Sequence, residues 1–191
     1  MRGARPLTAD QAKAVLNATK KLREKTLLTL GFCTGYRISE ILSLTLGDVV
    51  TDGHLHSHIT VKACHSKTRQ GRSVALNPAA RMALAELVEN MAGLPSDTPL
   101  FLSRKTANGK AKAISRQQAH NVLKKQFAAV GEYGNVSTHS LRKTFAAQIY
   151  QATGKIELVQ LALGHKSITS TMSYLSFNTS AVDRAIAELF Q

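Results

Sequence analysis

The segment Thr34-Gly35-Tyr36-Arg37-Ile38-Ser39-Glu40 sets an arginine and a carboxylate three residues apart at a helix start, so both share one face. An arginine beside a glycine-bearing turn, braced by a carboxylate, makes a preorganised clamp for phosphate oxygens. The plainer alternative is an ordinary ion pair on a helix surface. Thr138-His139-Ser140-Leu141-Arg142-Lys143 repeats the spacing with His139 and Arg142. Imidazole can exchange a proton, and the planar guanidinium fork can grip two phosphate oxygens; the alternative is a plain basic helix face. A third cluster, Leu163-Gly164-His165-Lys166-Ser167, precedes Tyr174, which lies nine residues after His165. A phenol is a weak nucleophile unless the phosphorus before it is already polarised by positive charge. Otherwise Tyr174, among Met172 and Leu175, is an amphipathic packing residue. Finally, Lys67 lies in the polar run Ser66-Lys67-Thr68-Arg69-Gln70-Gly71, where a flexible ammonium can reach a leaving oxygen or simply remain solvated.

Helices must position most of these groups. Thr8-Ala9-Asp10-Gln11 has the form of a capping box, followed by Ala12, Val15, Leu16 and Leu22 at helical spacing. An apolar stretch from Thr26 to Cys33 ends at Thr34-Gly35, and the segment Arg37 to Leu46 is closed by Gly47-Asp48. From His54 to Val61 the period changes to two, with Leu55, Ile59 and Val61 on one face, which predicts a half-buried strand. Ser73-Val74-Ala75-Leu76 is the return strand of a hairpin. Asn77-Pro78 begins a helix bearing Ala80, Leu84, Leu87, Val88 and Met91 and ending at Gly93. Ser115 caps another with Ala119, Val122, Leu123 and Phe127, stopped near Gly131. Further helices are expected near 138–152, 155–163, 167–176 and 181–190. The expected fold is mostly α with a small antiparallel β-sheet or hairpin inserted early, as a single domain over 1–191 without repeat or interior linker.

Composition narrows the partners. Across 191 residues, Lys and Arg number 25 against 12 acidic residues, a net charge of +13. Such an excess favours a polyanion, with nucleic acid ahead of an anionic membrane surface. No apolar run approaches the ~20 residues of a membrane span, and the polar start leads into no signal-peptide core. Two cysteines, Cys33 and Cys64, suit a reducing compartment and exclude a secreted disulfide scaffold.

Taken together, Thr-Gly-x-Arg-x-Ser-Glu, a hairpin lysine, His-x-Leu-Arg, Leu-Gly-His and a tyrosine nine residues on resemble the catalytic domain of tyrosine recombinases, the phage-integrase family. The resemblance runs from about Thr8 to the C-terminus. It implies that Arg37 and Arg142 bind the non-bridging oxygens of a scissile phosphate and that Tyr174 attacks phosphorus to give a 3′-phosphotyrosyl link. It implies that Lys67 protonates the departing 5′-oxygen, His139 acts as acid or base toward the tyrosine, His165 hydrogen-bonds the phosphate, and Glu40 supports the pocket. Counting back from Val74-Ala75-Leu76, which resembles the family's Val-Pro-Leu strand, selects Lys67 over Lys62; Ala75 stands in place of the usual proline. Bond energy is kept in the covalent intermediate, so no ATP is expected, and two arginines, a lysine and histidines supply the positive charge, so no metal or other cofactor is expected. The implied partner is double-stranded DNA, bound by a homo-oligomer (a tetramer on DNA, a monomer when free), in the cytoplasm of a bacterium and encoded by its chromosome, a phage or a plasmid. Most members carry an N-terminal core-binding domain; Met1 lies only 36 residues before Arg37, so the expectation is a catalytic domain alone, native or trimmed from a longer integrase.

Backbone contacts to DNA are expected from Arg104, Lys105, Lys110 and Lys112 on a basic loop, and from Lys143 and Lys166; Lys124 and Lys125 add further helix-borne charge. The final helix, with Val182, Ile186, Leu189 and Phe190 on one face, could pack on its own core, but the resemblance favours docking on a neighbouring protomer. His54-x-His56-x-His58 could bind a transition metal but reads better as a solvated strand face, and Cys33 as a small core residue. Two alternatives compete. A non-catalytic helix-turn-helix regulator would use Ile156 to Leu175 but leaves Arg37, Glu40 and Lys67 unexplained. A cleaving and rejoining relative, such as a type IB topoisomerase or telomere resolvase, shares the residues but is usually a much larger chain.

Overall fold

The computed structural model describes residues 3–62, 71–104 and 111–175. Helix α1 (Ala9–Ala18) begins with the expected exchange. The Gln11 N–H donates to the Thr8 hydroxyl at 3.2 Å, and the Thr8 N–H donates to the Gln11 side chain at 2.8 Å. Such a reciprocal cap contributes about 1 kcal/mol. Helix α2 (Leu22–Thr34) is buried nearly all round, with Leu27, Leu28, Leu30 and Phe32 all withdrawn from solvent, and so becomes the central element. It packs against α4 (Pro78–Glu89) and α6 (Thr138–Thr153). The approach to α6 is close because Gly31 faces Leu141; a Cβ there would lie 2.5 Å from Leu141 Cδ1.

Helix α3 spans Ile38–Leu42, shorter than the segment to Leu46 that the sequence suggests. The chain leaves the helix because its backbone finds a distant partner. The Leu46 N–H donates to Thr98 O at 2.9 Å and the Leu100 N–H to Leu44 O at 3.0 Å. A 3-10 turn, Leu46–Asp48, follows, fixed by the Thr45 N–H on the Asp48 carboxylate at 2.9 Å.

The expected strand from His54 to Val61 is divided. β1 (Val50–Thr51) pairs antiparallel with β2 (His54–Leu55), and β3 (His58–Val61) pairs antiparallel with β4 (Arg72–Ala75) in the register Ile59 with Val74. The first hairpin turns at Asp52-Gly53, both at positive φ, the conformation of a two-residue hairpin turn. Ile59 and Val61 are buried as the alternation requires, while Leu55 is half-buried.

Helices α5 (Arg116–Ala128), α6, α7 (Ile156–Leu163) and α8 (Ile168–Met172) complete the described chain. Ser115 and Gln118 form a second capping box, and Asn77 caps α4 with its side chain accepting from the Ala80 N–H. The expected helix over 181–190 lies outside the described residues. One apolar cluster joins α2, α3, β3 and α4 through Leu30, Ile41, Ile59 and Leu84. A second joins α1, α2 and α5 through Val15, Leu28 and Phe127, and a third lies under α6 and α7 through Phe145, Val159 and Leu163. Arg37, Glu40, Arg142, His165 and Tyr174 gather where the first and third clusters meet.

Candidate active site

Gly35 ends α2 in the left-handed region at φ 59°, and α6 approaches so closely that a Cβ there would stand 2.3 Å from Phe145 Cδ1. Thr34 secures the same turn, its hydroxyl donating to Leu30 O at 2.6 Å and accepting the Tyr36 N–H at 3.3 Å. The buried Tyr36 hydroxyl sits 2.7 Å from Ile59 O and 2.8 Å from Arg72 O, tying the turn to both strands of the β3–β4 hairpin. Burial, the largest influence, pushes that phenol up to about 12.

Arg37 follows as the N-cap of α3. Its backbone N–H donates to Glu40 Oε2 at 2.7 Å and its Nη1 to Glu40 Oε1 at 2.9 Å. Glu40 is itself buried, so this is an ion pair with one face in the core rather than the surface pair that spacing alone allows. Glu40 Oε2 also lies 4.0 Å from Nη1 of Arg142.

Arg142, on the second turn of α6, is 1% exposed. Its Nη1 donates to Gly35 O at 2.5 Å and its Nη2 to Leu163 O at 2.8 Å, so one fork bridges the ends of α2 and α7. Nη2 also donates to His165 Nε2 at 3.1 Å. Because a guanidinium can only donate, that ring nitrogen is the unprotonated one, and Nδ1–H donates to the Thr171 hydroxyl at 3.1 Å. Burial, followed by Arg142, Arg37 and Arg72, pushes His165 down to about 4, so it is neutral at pH 7. Burial, followed by Arg37 and Arg72, lowers Arg142 to about 10, which leaves it charged. Its Nε is buried without a hydrogen-bond partner.

Gly164 ends α7 at φ 65° and Ser167 caps α8, as the Leu-Gly-His-Lys-Ser segment predicts. Tyr174 sits in the turn just beyond α8, its N–H on Thr171 O at 2.9 Å. Its half-buried ring stands edge-on to His165 with centroids 5.1 Å apart, and both Arg142 Cζ and Lys143 Nζ lie 5.9 Å from the ring centroid. His139, one turn before Arg142, is exposed; partial burial, then Arg142, Arg37 and Lys143, lowers its proton affinity.

Arg37, Glu40, Arg142, His165 and Tyr174 are therefore brought together, with His139 and Lys143 at the edge and Lys166 adjoining His165. Arg104 and Lys112 stand exposed beside the Leu102–Ala113 bridge. Lys67, Lys105 and Lys110 lie outside the described residues. The strand histidines turn to protein partners: His54 to Asp52 O, His56 to Thr51 and Asp48 O, His58 to Ser57. Cys33 is half-buried against the first cluster, with Asn77 donating to its sulfur at 3.3 Å. Two participants go unread in the sequence, Arg72 and Thr171. Arg72 shares the inward face of β4 with Val74, and an arginine at an inward strand position was the available signal. It joins Arg37, Glu40, Phe145, Leu161 and Gly164 around a cleft of about 500 Å³ between β4 and α7.

Residues 5–180 match the model of the phage integrase family. The chain belongs to that family. It is 32% identical over 186 residues to tyrosine recombinase XerC of Roseiflexus sp., covering 91% of this chain and 56% of that protein. It is 33% identical over 171 residues to the probable integrase/recombinase YoeC of Bacillus subtilis, covering 90% and 86% respectively. In fold it superposes on a crystal structure of XerA recombinase with a TM-score of 0.80 at 23% identity, all of this chain matching 65% of that one. A XerH site-specific recombinase bound to its difH substrate gives a TM-score of 0.71 at 23% identity, over 56% of its length. This family member thus spans little more than half of several relatives.

Proposed function

We propose that this chain cleaves and rejoins DNA as the catalytic domain of a tyrosine-type site-specific recombinase. The observation that carries the reading is a charge imbalance facing a phenol. Arg37 and Arg142 both face the buried carboxylate of Glu40, and burial, followed by the charges of Arg37 and Arg72, lowers the proton affinity of Arg142. Like charges held this close call for an anion, and a phosphodiester supplies one. Tyr174 stands beside Arg142 and His165, where a phosphate held by the arginines would meet its hydroxyl.

Arg37 and Arg142 grip the non-bridging oxygens, the orphaned Nε of Arg142 being a donor available for one of them, and they stabilise the charge that grows in the transition state. The Tyr174 oxygen attacks phosphorus, the bond to the 5′-oxygen breaks, and Lys67 supplies that oxygen's proton. His139 accepts the phenolic proton. His165 braces Arg142 and contacts the phosphate, while Glu40 fixes Arg37. Attack by the 5′-hydroxyl of a second strand then reverses the chemistry and completes exchange, with DNA held in a tetramer in the cytoplasm. The XerH complex with its substrate supports DNA as the partner.

The test is a nicked suicide duplex. Wild-type protein is expected to leave a covalent adduct on a denaturing gel, and Tyr174→Phe none. Binding without any wild-type adduct would return the chain to the regulator reading. Joining of a supplied partner strand separates recombination from simple relaxation.

A further inference from the structure

Arg142 is not the sole arginine that bridges the ends of α2 and α7. Arg72, from β4, does the same one residue earlier at each end. Its Nη2 donates to Thr34 O at 3.0 Å and its Nη1 to Ala162 O, beside the Gly35 and Leu163 carbonyls that Arg142 takes. The last carbonyls of a helix have no partner within it, and the helix dipole makes them attractive to cations. Two helix ends thus offer four consecutive-pair carbonyls to two guanidinium forks.

Three further contacts tie Arg72 to this junction. Its guanidinium lies 4.2 Å from the centre of the Tyr36 ring. Its backbone carbonyl receives the Tyr36 hydroxyl at 2.8 Å. Its aliphatic stem packs on Gly164, where a Cβ would lie 3.1 Å from Arg72 Cδ. Arg72 therefore touches the turn that presents Arg37 and the turn that presents His165. We propose that Arg72 is a positioning residue for DNA cleavage, a second clamp that locks the end of α7 onto the end of α2 and so holds Arg142 and His165 in register with Arg37. The role rests on the proposed function. It favours the fork of an arginine, whose two terminal nitrogens each take one of Thr34 O and Ala162 O in a fixed geometry, over the single nitrogen of a lysine on its flexible stem. The glycine of Leu-Gly-His then has two causes, the positive φ of the α7 cap and the room that the Arg72 stem needs.

The experiment compares the full chain with Arg72→Lys and Arg72→Gln. Adduct formation is followed in single turnover on nicked duplex at saturating concentration, and the His165 ring nitrogens are followed by 15N NMR without DNA. Both variants are expected to bind duplex within about threefold of wild type. Adduct formation should fall about 100-fold in Arg72→Gln, the scale of a small misplacement of catalytic groups. Arg72→Lys should recover less than tenfold of that, and in both the His165 ring should lose its single Nδ1–H tautomer. Wild-type adduct rates in Arg72→Gln, or full rescue by lysine, would overturn the proposal. Should Arg72→Gln not fold, Arg72→Lys decides by the same criteria, since it keeps the stem and charge. If wild-type protein makes no adduct at all, the proposed function fails, and the tautomer of His165 still judges the clamp.

Discussion

Burying a guanidinium costs several kcal/mol unless its donors are met by acceptors. Arg142 meets two carbonyls and an imidazole, and this fixes the protonation of His165 as well as its place. A protonated His165 would set an N–H against the N–H of Arg142, so the fold selects the neutral ring. Its proton affinity falls from 6.5 to about 4, and that of His139 falls in the same direction. The unfolded chain takes up the His165 proton near 6.5, the folded chain only near 4, so between these values the unfolded state binds more protons. The contribution to stability is full above about pH 6.5 and lost as pH falls toward 4. Urea unfolding of DNA-free protein should therefore show a midpoint that is flat above pH ~7 and declines below it. His165→Gln keeps an acceptor for Arg142 and a donor for Thr171 but cannot titrate, so it should flatten part of that decline. An unchanged slope in the variant would mean that His139, whose proton affinity is lowered in the same direction, carries the effect instead.

At the scale of elements, the turn after α2 sets the site's precision. Gly35 needs both its left-handed φ and the absence of a Cβ, whereas Gly53 needs only its φ of 77°, with open space around it. Gly53→Ala should cost about 1 kcal/mol and Gly35→Ala about 3 kcal/mol or more, because the latter also forces Phe145 out of the third cluster. Urea titrations of the two variants measure the difference; equal losses would show that Phe145 yields freely. The elements that the sequence discloses best are those whose reasons are local. The boxes at Thr8 and Ser115 and the caps at Asn77 and Ser167 close within three residues. The divided strand is hidden because Leu55 and Ile59 keep the same parity while their partner strands change, and the Asp52-Gly53 turn signal passes unread. The short α3 depends on a backbone partner at Thr98, which no local pattern encodes. The same division runs through the site: Arg37 with Glu40 is visible as a spacing, but Arg72 finds its carbonyls 38 and 90 residues away.

For the whole molecule, the net charge of +13 is divided between cations close to Tyr174 and cations remote from it in the contacts of the fold. Lys143 is close, with its ammonium 5.9 Å from the Tyr174 ring centroid. Arg104 and Lys112 sit on the segments joined by the Leu102–Ala113 bridge, where the Ser103 N–H donates to Lys112 O at 2.7 Å. Both groups attract phosphates, but only the first stands close enough to influence the proposed nucleophile, Tyr174. Each lost phosphate contact should reduce the slope of log K against log salt by about 0.9. The double substitution Arg104→Ala with Lys112→Ala should lower that slope by up to about 1.8 and leave the single-turnover adduct rate at saturating DNA unchanged. Lys143→Ala should lower the slope by up to about 0.9 and slow the adduct as well, since it removes positive charge from beside the proposed nucleophile. Salt titrations of duplex binding, paired with adduct kinetics on the same preparations, separate the two effects. An unaltered slope in the double variant would place that loop away from DNA and assign the electrostatic grip to the helix-borne lysines.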